Sequence, residues 1–136
     1  MTETLKEQLI RHEDLRCKPY KDSVGKLTIG VGHNLDDKGI SPRIAMLILD
    51  EDIQEATMLL EKNLPWTSSL DAARKNVLIN MTFNMGIAGL LTFKNTLSLI
   101  QAKRYDEAAE NMLKSKWATQ VGIRAVELAR IMKDGN

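Results

Sequence analysis

The chain has 136 residues, 43% hydrophobic, 27% charged and only 4% aromatic, which is one domain's worth of sequence with enough apolar material for a core. Nineteen basic residues against eighteen acidic leave +1, so no charge excess points to nucleic acid. No apolar run approaches the ~20 residues of a membrane helix, Met1 to Glu7 lacks the layout of a secretory signal, and a single cysteine, Cys17, excludes an internal disulfide framework and a cysteine-based metal site. The balance hides an asymmetry: residues 1–64 carry a net −3 and residues 65–136 a net +4, fields that could orient a charged substrate or arise from solubility alone.

In chain order, residues 3–12 read as a short amphipathic helix, with Leu5, Leu9 and Ile10 at helical spacing. Leu27, Ile29 and Val31 then alternate with Thr28, Gly30 and Gly32, a strand pattern, and Asp22-Ser23-Val24-Gly25 supplies the hairpin turn. A loop from Asn34 to Ile40 leads to Ser41-Pro42, an N-cap followed by proline in the first helical turn. A long helix runs from there to Lys62 and stops before Pro65. Residues 66–133 carry no strand signal; Ser69 caps a helix near 70–83, Gly86 and Gly89 punctuate the stretch after it, and further helices cover about 94–101, 106–113 and 122–133. A small antiparallel sheet in an N-terminal lobe, joined by a long helix to an all-helical C-terminal lobe, makes the fold class α+β.

Three residues stand out chemically. Glu13 extends the stripe of Leu5 and Leu9 at i+8 and sits at the helix end, near the negative pole of the macrodipole. Both circumstances favour a protonated carboxyl, as a general acid requires; the bland alternative is a solvated glutamate at a frayed end. Asp22 opens the turn, where an aspartate commonly caps its own backbone. Thr28 lies on the strand face shared with Lys26 and Gly30, where open backbone suits a close ligand, although threonine is also an ordinary strand residue. Together they can converge beside the hairpin. Two carboxylates in unlike environments are the basis of glycoside hydrolysis, one protonating the leaving oxygen and the other attacking the sugar or activating water. His12 and His33 lack partners at zinc spacing, so no metal is expected. Lys114-Ser115-Lys116 with Trp117 is too short for a nucleic-acid patch.

Glu13-x8-Asp22-x5-Thr28, set in Arg11-His12-Glu13-Asp14-Leu15-Arg16 and Thr28-Ile29-Gly30-Val31-Gly32-His33, resembles the phage-type lysozymes (endolysins) of the bacteriophage T4 lysozyme family. Asn80-Met81-Thr82-Phe83-Asn84-Met85-Gly86, Arg104-Tyr105-Asp106-Glu107-Ala108-Ala109 and Lys114-Ser115-Lys116-Trp117 continue the likeness over nearly the whole chain. The resemblance implies a single lysozyme-like domain over 1–136, with an N-terminal lobe of about 13–60 and a helical lobe of about 1–12 plus 61–136. It implies hydrolysis of the β-1,4 bond between N-acetylmuramic acid and N-acetylglucosamine in peptidoglycan, with inversion, no cofactor, and lysis of the host cell. Glu13 would be the acid, Asp22 would activate or stabilise from the opposite face, and Thr28 would help hold the water. Asn34, Phe83, Thr96 and Asn111 would contact the glycan, and His33 with Asp52 would form a structural ion pair.

A monomer is the default expectation, and the charge balance and the lack of a long apolar run predict neither nucleic acid nor membrane insertion; an endolysin without an export signal would meet peptidoglycan by accumulating in the host cytoplasm and reaching the wall after membrane permeabilisation. The stretch from His33 to Ser41 is shorter than in longer relatives, Asn84 stands where a glutamine is familiar, and the chain stops at Asn136 soon after its last predicted helix, where less terminal packing implies lower stability. Two other readings compete. One is a lytic transglycosylase using Glu13 alone. The other is a non-catalytic wall-binding module, which has no physical need for two unlike acids.

Overall fold

The computed structural model describes residues 2–136. They form α1 (Leu5–Glu13), β1 (Arg16–Lys21), β2 (Leu27–Gly30), β3 (His33–Asn34), α2 (Leu35–Lys38), α3 (Pro42–Asn63), a 3-10 turn (Pro65–Ser69), α4 (Ala72–Leu91), α5 (Lys94–Gln101), α6 (Tyr105–Leu113), α7 (Lys116–Val121) and α8 (Ile123–Asp134). The fold is α+β, mostly helical with one small antiparallel sheet near the N-terminus, as the sequence pattern predicts. The chain divides into two compact units, one running to Leu47 and the other from Ile48.

In the first unit, α1 starts at a capping box: Thr4 Oγ1 accepts from the Glu7 backbone N–H and the Glu7 carboxylate accepts from that of Thr4. The helix ends at Glu13 because Asp14 adopts φ 65°, ψ 158°, which no helix can continue. Within its own unit α1 buries no residue, so the expected partly buried stripe of Leu5, Leu9 and Glu13 is not formed there. The composition explains this: only Leu5, Leu9 and Ile10 are apolar among its nine residues.

The sheet has the order β1-β2-β3, antiparallel throughout. Tyr20 pairs with Thr28 and Lys21 with Leu27, but Arg16 pairs with Gly30, so Cys17, Lys18 and Pro19 bulge opposite Ile29. A bulge is where a strand can hold a proline, which has no N–H to give the ladder. The turn at Asp22–Gly25 is as expected, closed by Gly25 N–H to Asp22 O and Asp22 N–H to Lys26 O. A third strand and α2 occupy the stretch expected as loop, with Thr28 opposite Asn34 and Ile29 opposite His33. Side chains tie this stretch back to the hairpin: Asp36 Oδ2 accepts from the Leu27 N–H at 2.6 Å and Asp37 pairs with the Lys26 ammonium at 3.0 Å.

The second unit holds the hydrophobic core. Leu60, Val77, Leu78, Met81, Leu90, Ile100, Met112 and Met132 are essentially inaccessible to water, each side chain gaining about 1.5–3 kcal/mol from burial. Ser41 caps α3 through the Ile44 N–H, as predicted. The α4 cap is Asp71, not Ser69: its carboxylate accepts from the Arg74 N–H, and Ser69 closes the preceding 3-10 turn. That helix reaches Leu91 with a break at Gly86, whose φ of 77° and ψ of 162° are non-helical. A short helix, α7, which the sequence pattern does not announce, is capped by Ser115 through the Ala118 N–H. Arg74 links helices by donating to the last-turn carbonyls of Met132 and Lys133 while lying 3.6 Å over the Tyr105 ring.

Candidate active site

The first unit contains Glu13, Asp22, Thr28 and Asn34, and the second contains Phe83, Thr96 and Asn111. Glu13, the last residue of α1, is exposed. Its carboxylate takes no side-chain hydrogen bond or ion pair among the described residues of its unit. It leans over Gly32, where a Cβ would lie 2.8 Å from Glu13 Oε2.

Asp22 is held by its own turn. Oδ1 accepts from the backbone N–H groups of Val24 at 3.0 Å and Lys26 at 2.8 Å. Both bonds fall on Oδ1, so Oδ2 is left to meet water or a ligand. The turn reading and the chemical reading are therefore compatible: one oxygen serves the fold and the other remains available.

Thr28 differs from expectation in its surroundings. The open strand face expected from Lys26 and Gly30 is instead well covered, and Thr28 retains 3% of its accessibility. The cause is its place on the central strand, between Tyr20 of β1 and Asn34 of β3. Its hydroxyl donates to the Lys26 carbonyl at 2.8 Å, so the oxygen's remaining capacity is as an acceptor. Asn34 is committed locally: Oδ1 accepts from the Asp37 N–H and Nδ2 donates to the Asp37 carboxylate, capping α2. His33 Nε2 lies 2.6 Å from the Gly39 carbonyl oxygen, while Asp52 belongs to α3 in the second unit.

In the second unit Thr96 and Asn111 line one pocket of about 700 Å³. Asn84, Ser115 and Trp117 share it, and Lys94, Lys114 and Lys116 give it positive charge. None of these three lysines is in an ion pair among the described residues. Trp117 fixes Asn84 by donating its indole N–H to Oδ1 at 2.8 Å, and Phe93 packs edge-on to the same indole at 6.0 Å. The amide nitrogen of Asn84 is thus the group left to offer a ligand. Sequence reasoning places Trp117 in the helical lobe but misses this bond, which joins residues 33 apart in the chain. Phe83 is 46% exposed and lines two smaller cavities of the second unit, of about 430 and 290 Å³, not the Thr96–Asn111 pocket. Arg124 closes the larger of these with two hydrogen bonds from its guanidinium to Asn80 Oδ1.

The sequence has clear relatives among known proteins. The sequence pattern described as phage lysozyme matches residues 10–130. A probable T4-type lysozyme of Dictyostelium discoideum is 31% identical over 166 aligned positions, covering 99% of this chain and 96% of the relative. That alignment is about 30 positions longer than the chain, so the relative carries residues this chain lacks. The endolysin of Salmonella phage P22 is 32% identical over 115 positions, covering 78% of this chain and 76% of its own. The pre-baseplate central spike protein Gp5 of Enterobacteria phage T4 is 28% identical, covering 98% of this chain but 28% of its own length. With the family pattern spanning almost the whole sequence, the chain belongs to the phage lysozyme family, and so to the lysozyme-type glycoside hydrolases.

Proposed function

We propose that this protein hydrolyses the β-1,4 bond between N-acetylmuramic acid and N-acetylglucosamine in peptidoglycan, with inversion, as an endolysin that lyses the host cell. The observation that carries the reading is the contrast between two carboxylates of one small unit. Glu13 stands free of hydrogen bonds and ion pairs within that unit, and Asp22 is anchored through one oxygen by two backbone amides. A free carboxyl can hold and release a proton; an anchored carboxylate keeps its second oxygen in a fixed direction for a water.

In this mechanism Glu13 protonates the leaving glycosidic oxygen as the C–O bond breaks. Asp22 Oδ2 removes a proton from a water that attacks the anomeric carbon from the other side of the sugar. After the products leave, Asp22 releases to solvent the proton it took and Glu13 regains one from solvent. Thr28 can only receive a hydrogen bond from that water, because its own hydrogen is given to Lys26. The lysines around the Thr96–Asn111 pocket suit a wall polymer whose peptide stems carry carboxylates. Asn34, Phe83, Thr96 and Asn111 are assigned to glycan contact, and the protein acts as a monomer on the wall after permeabilisation of the membrane.

Mass analysis of fragments released from purified cell walls tests the chemistry. Muramic acid ends that have gained water, initially in the α configuration, are expected. Ends carrying a 1,6-anhydro ring would replace hydrolysis with transglycosylation by Glu13 alone, and binding without fragments would leave a wall-binding module.

A further inference from the structure

We propose that Gly32 is a positioning residue for the reaction: the absence of a side chain there gives the Glu13 carboxyl its place. The inference rests on the reading of Glu13 as the general acid and goes beyond it. A Cβ on Gly32 would lie 2.8 Å from Glu13 Oε2, 3.1 Å from Cδ and 3.2 Å from Cγ. The whole end of the side chain is therefore against the glycine, and rotating the carboxylate about its last bond would not clear a methyl group.

Gly32 sits at the β2–β3 turn with φ 66°, a conformation that glycine adopts freely and other residues rarely do. Any substitution there strains the backbone, but so does one at other positive-φ glycines of the same unit. Gly39, with φ 59°, has nothing within 4 Å of where its Cβ would stand. The two positions separate strain from displacement of the acid. Glu13 is long, flexible and exposed, so it can swing away from a methyl group at little cost to stability. What it loses is its position relative to the scissile bond.

The experiment compares Gly32→Ala, Gly39→Ala and Glu13→Gln in the full chain, using soluble peptidoglycan oligosaccharides. Gly32→Ala is expected to lower kcat by ~10-fold, because the contacts displace the acid by less than the 1 Å misplacement that can cost ~100-fold, with KM within about twofold. The pH profile of kcat should move in Gly32→Ala and keep its shape in Gly39→Ala, while the two melt at similar temperatures. If Glu13→Gln is inactive but Gly32→Ala loses no more kcat than Gly39→Ala, the positioning role is overturned and the acid assignment survives. If Glu13→Gln keeps full activity, the acid assignment itself fails. Should Gly32→Ala not fold, Glu13→Ala combined with Gly32→Ala decides. Recovery of folding in the double variant identifies contact with Glu13 as the cause, and continued failure overturns the inference.

Discussion

The carboxylate of Glu13 occupies the space that a side chain on Gly32 would fill, with Oε2 2.8 Å from the position of the missing Cβ. The end of α1 and the β2–β3 turn thereby define one location for the acid. The helix stops because Asp14 turns the chain, and the turn after β2 is open because its residue is glycine.

Asp22 has a structural and a proposed chemical duty that substitution can separate. Asp22→Asn retains an Oδ1 acceptor for the Val24 and Lys26 amides, whereas Asp22→Ala strands both. Asp22→Ala should therefore lose about 1 kcal/mol per hydrogen bond, and Asp22→Asn should melt close to wild type. Both should lose most hydrolytic activity. Thermal melts and fragment release on the two variants check this; an active Asp22→Asn would make the residue a turn former only.

Thr28→Ser preserves the bond to the Lys26 carbonyl, and Thr28→Ala removes it from a buried site. Thr28→Ala should lower stability by about 1–2 kcal/mol and activity less than Asp22→Ala does. Thr28→Ser should retain most activity. Denaturant titration with parallel rate measurements distinguishes loss of the water contact from loss of the fold.

Asp14 holds φ 65° with ψ 158°, a region that residues with a Cβ strongly avoid. Such strain costs of order 1–3 kcal/mol, partly offset in Asp14→Gly by the greater freedom of glycine in the unfolded chain. Asp14→Gly should raise stability by about 1 kcal/mol with activity retained, as measured by urea unfolding and wall clearing.

Burial disfavours the charge on Asp71, but bonds from the Arg74 N–H and guanidinium outweigh it and hold the carboxyl below its ordinary value of 3.8. A depressed carboxyl stabilises the folded state fully above the unfolded value, and that contribution fades as pH falls through the lower folded value. Asp71→Ala should therefore lose about 1 kcal/mol of cap stability near neutral pH. The gap from wild type should narrow as the pH is taken below 3.8. Melting at a series of pH values is the check; a gap constant across that range would contradict it.

Much of this architecture is legible in the chain because it rests on local rules. The capped start of α3 at Ser41, the turn at Asp22 and the end of α1 at Glu13 follow from capping, turn chemistry and periodicity. The sequence pattern stops short at β3, α2 and α7, which span two, four and six residues, too few for any period to repeat. Thr28 falls on the expected strand, but its burial depends on β3 flanking it, and no alternation marks that two-residue strand. The apolar spacing of α1 is real, yet spacing alone does not supply a partner within the unit. The Trp117–Asn84 bond and the Glu13–Gly32 contact each join residues distant in sequence, and no local pattern announces them. The pair of glycines in Thr28-Ile29-Gly30-Val31-Gly32 is the one signal the chain offers for the second.

The most direct measurement is turbidity clearing of purified cell walls by wild type and Glu13→Gln, with melting curves confirming that both are folded. The variant keeps the size and polarity of the side chain but has no proton to give to a departing sugar. Clearing by wild type and none by the folded variant is the expected result; equal clearing by both would remove Glu13 from the chemistry.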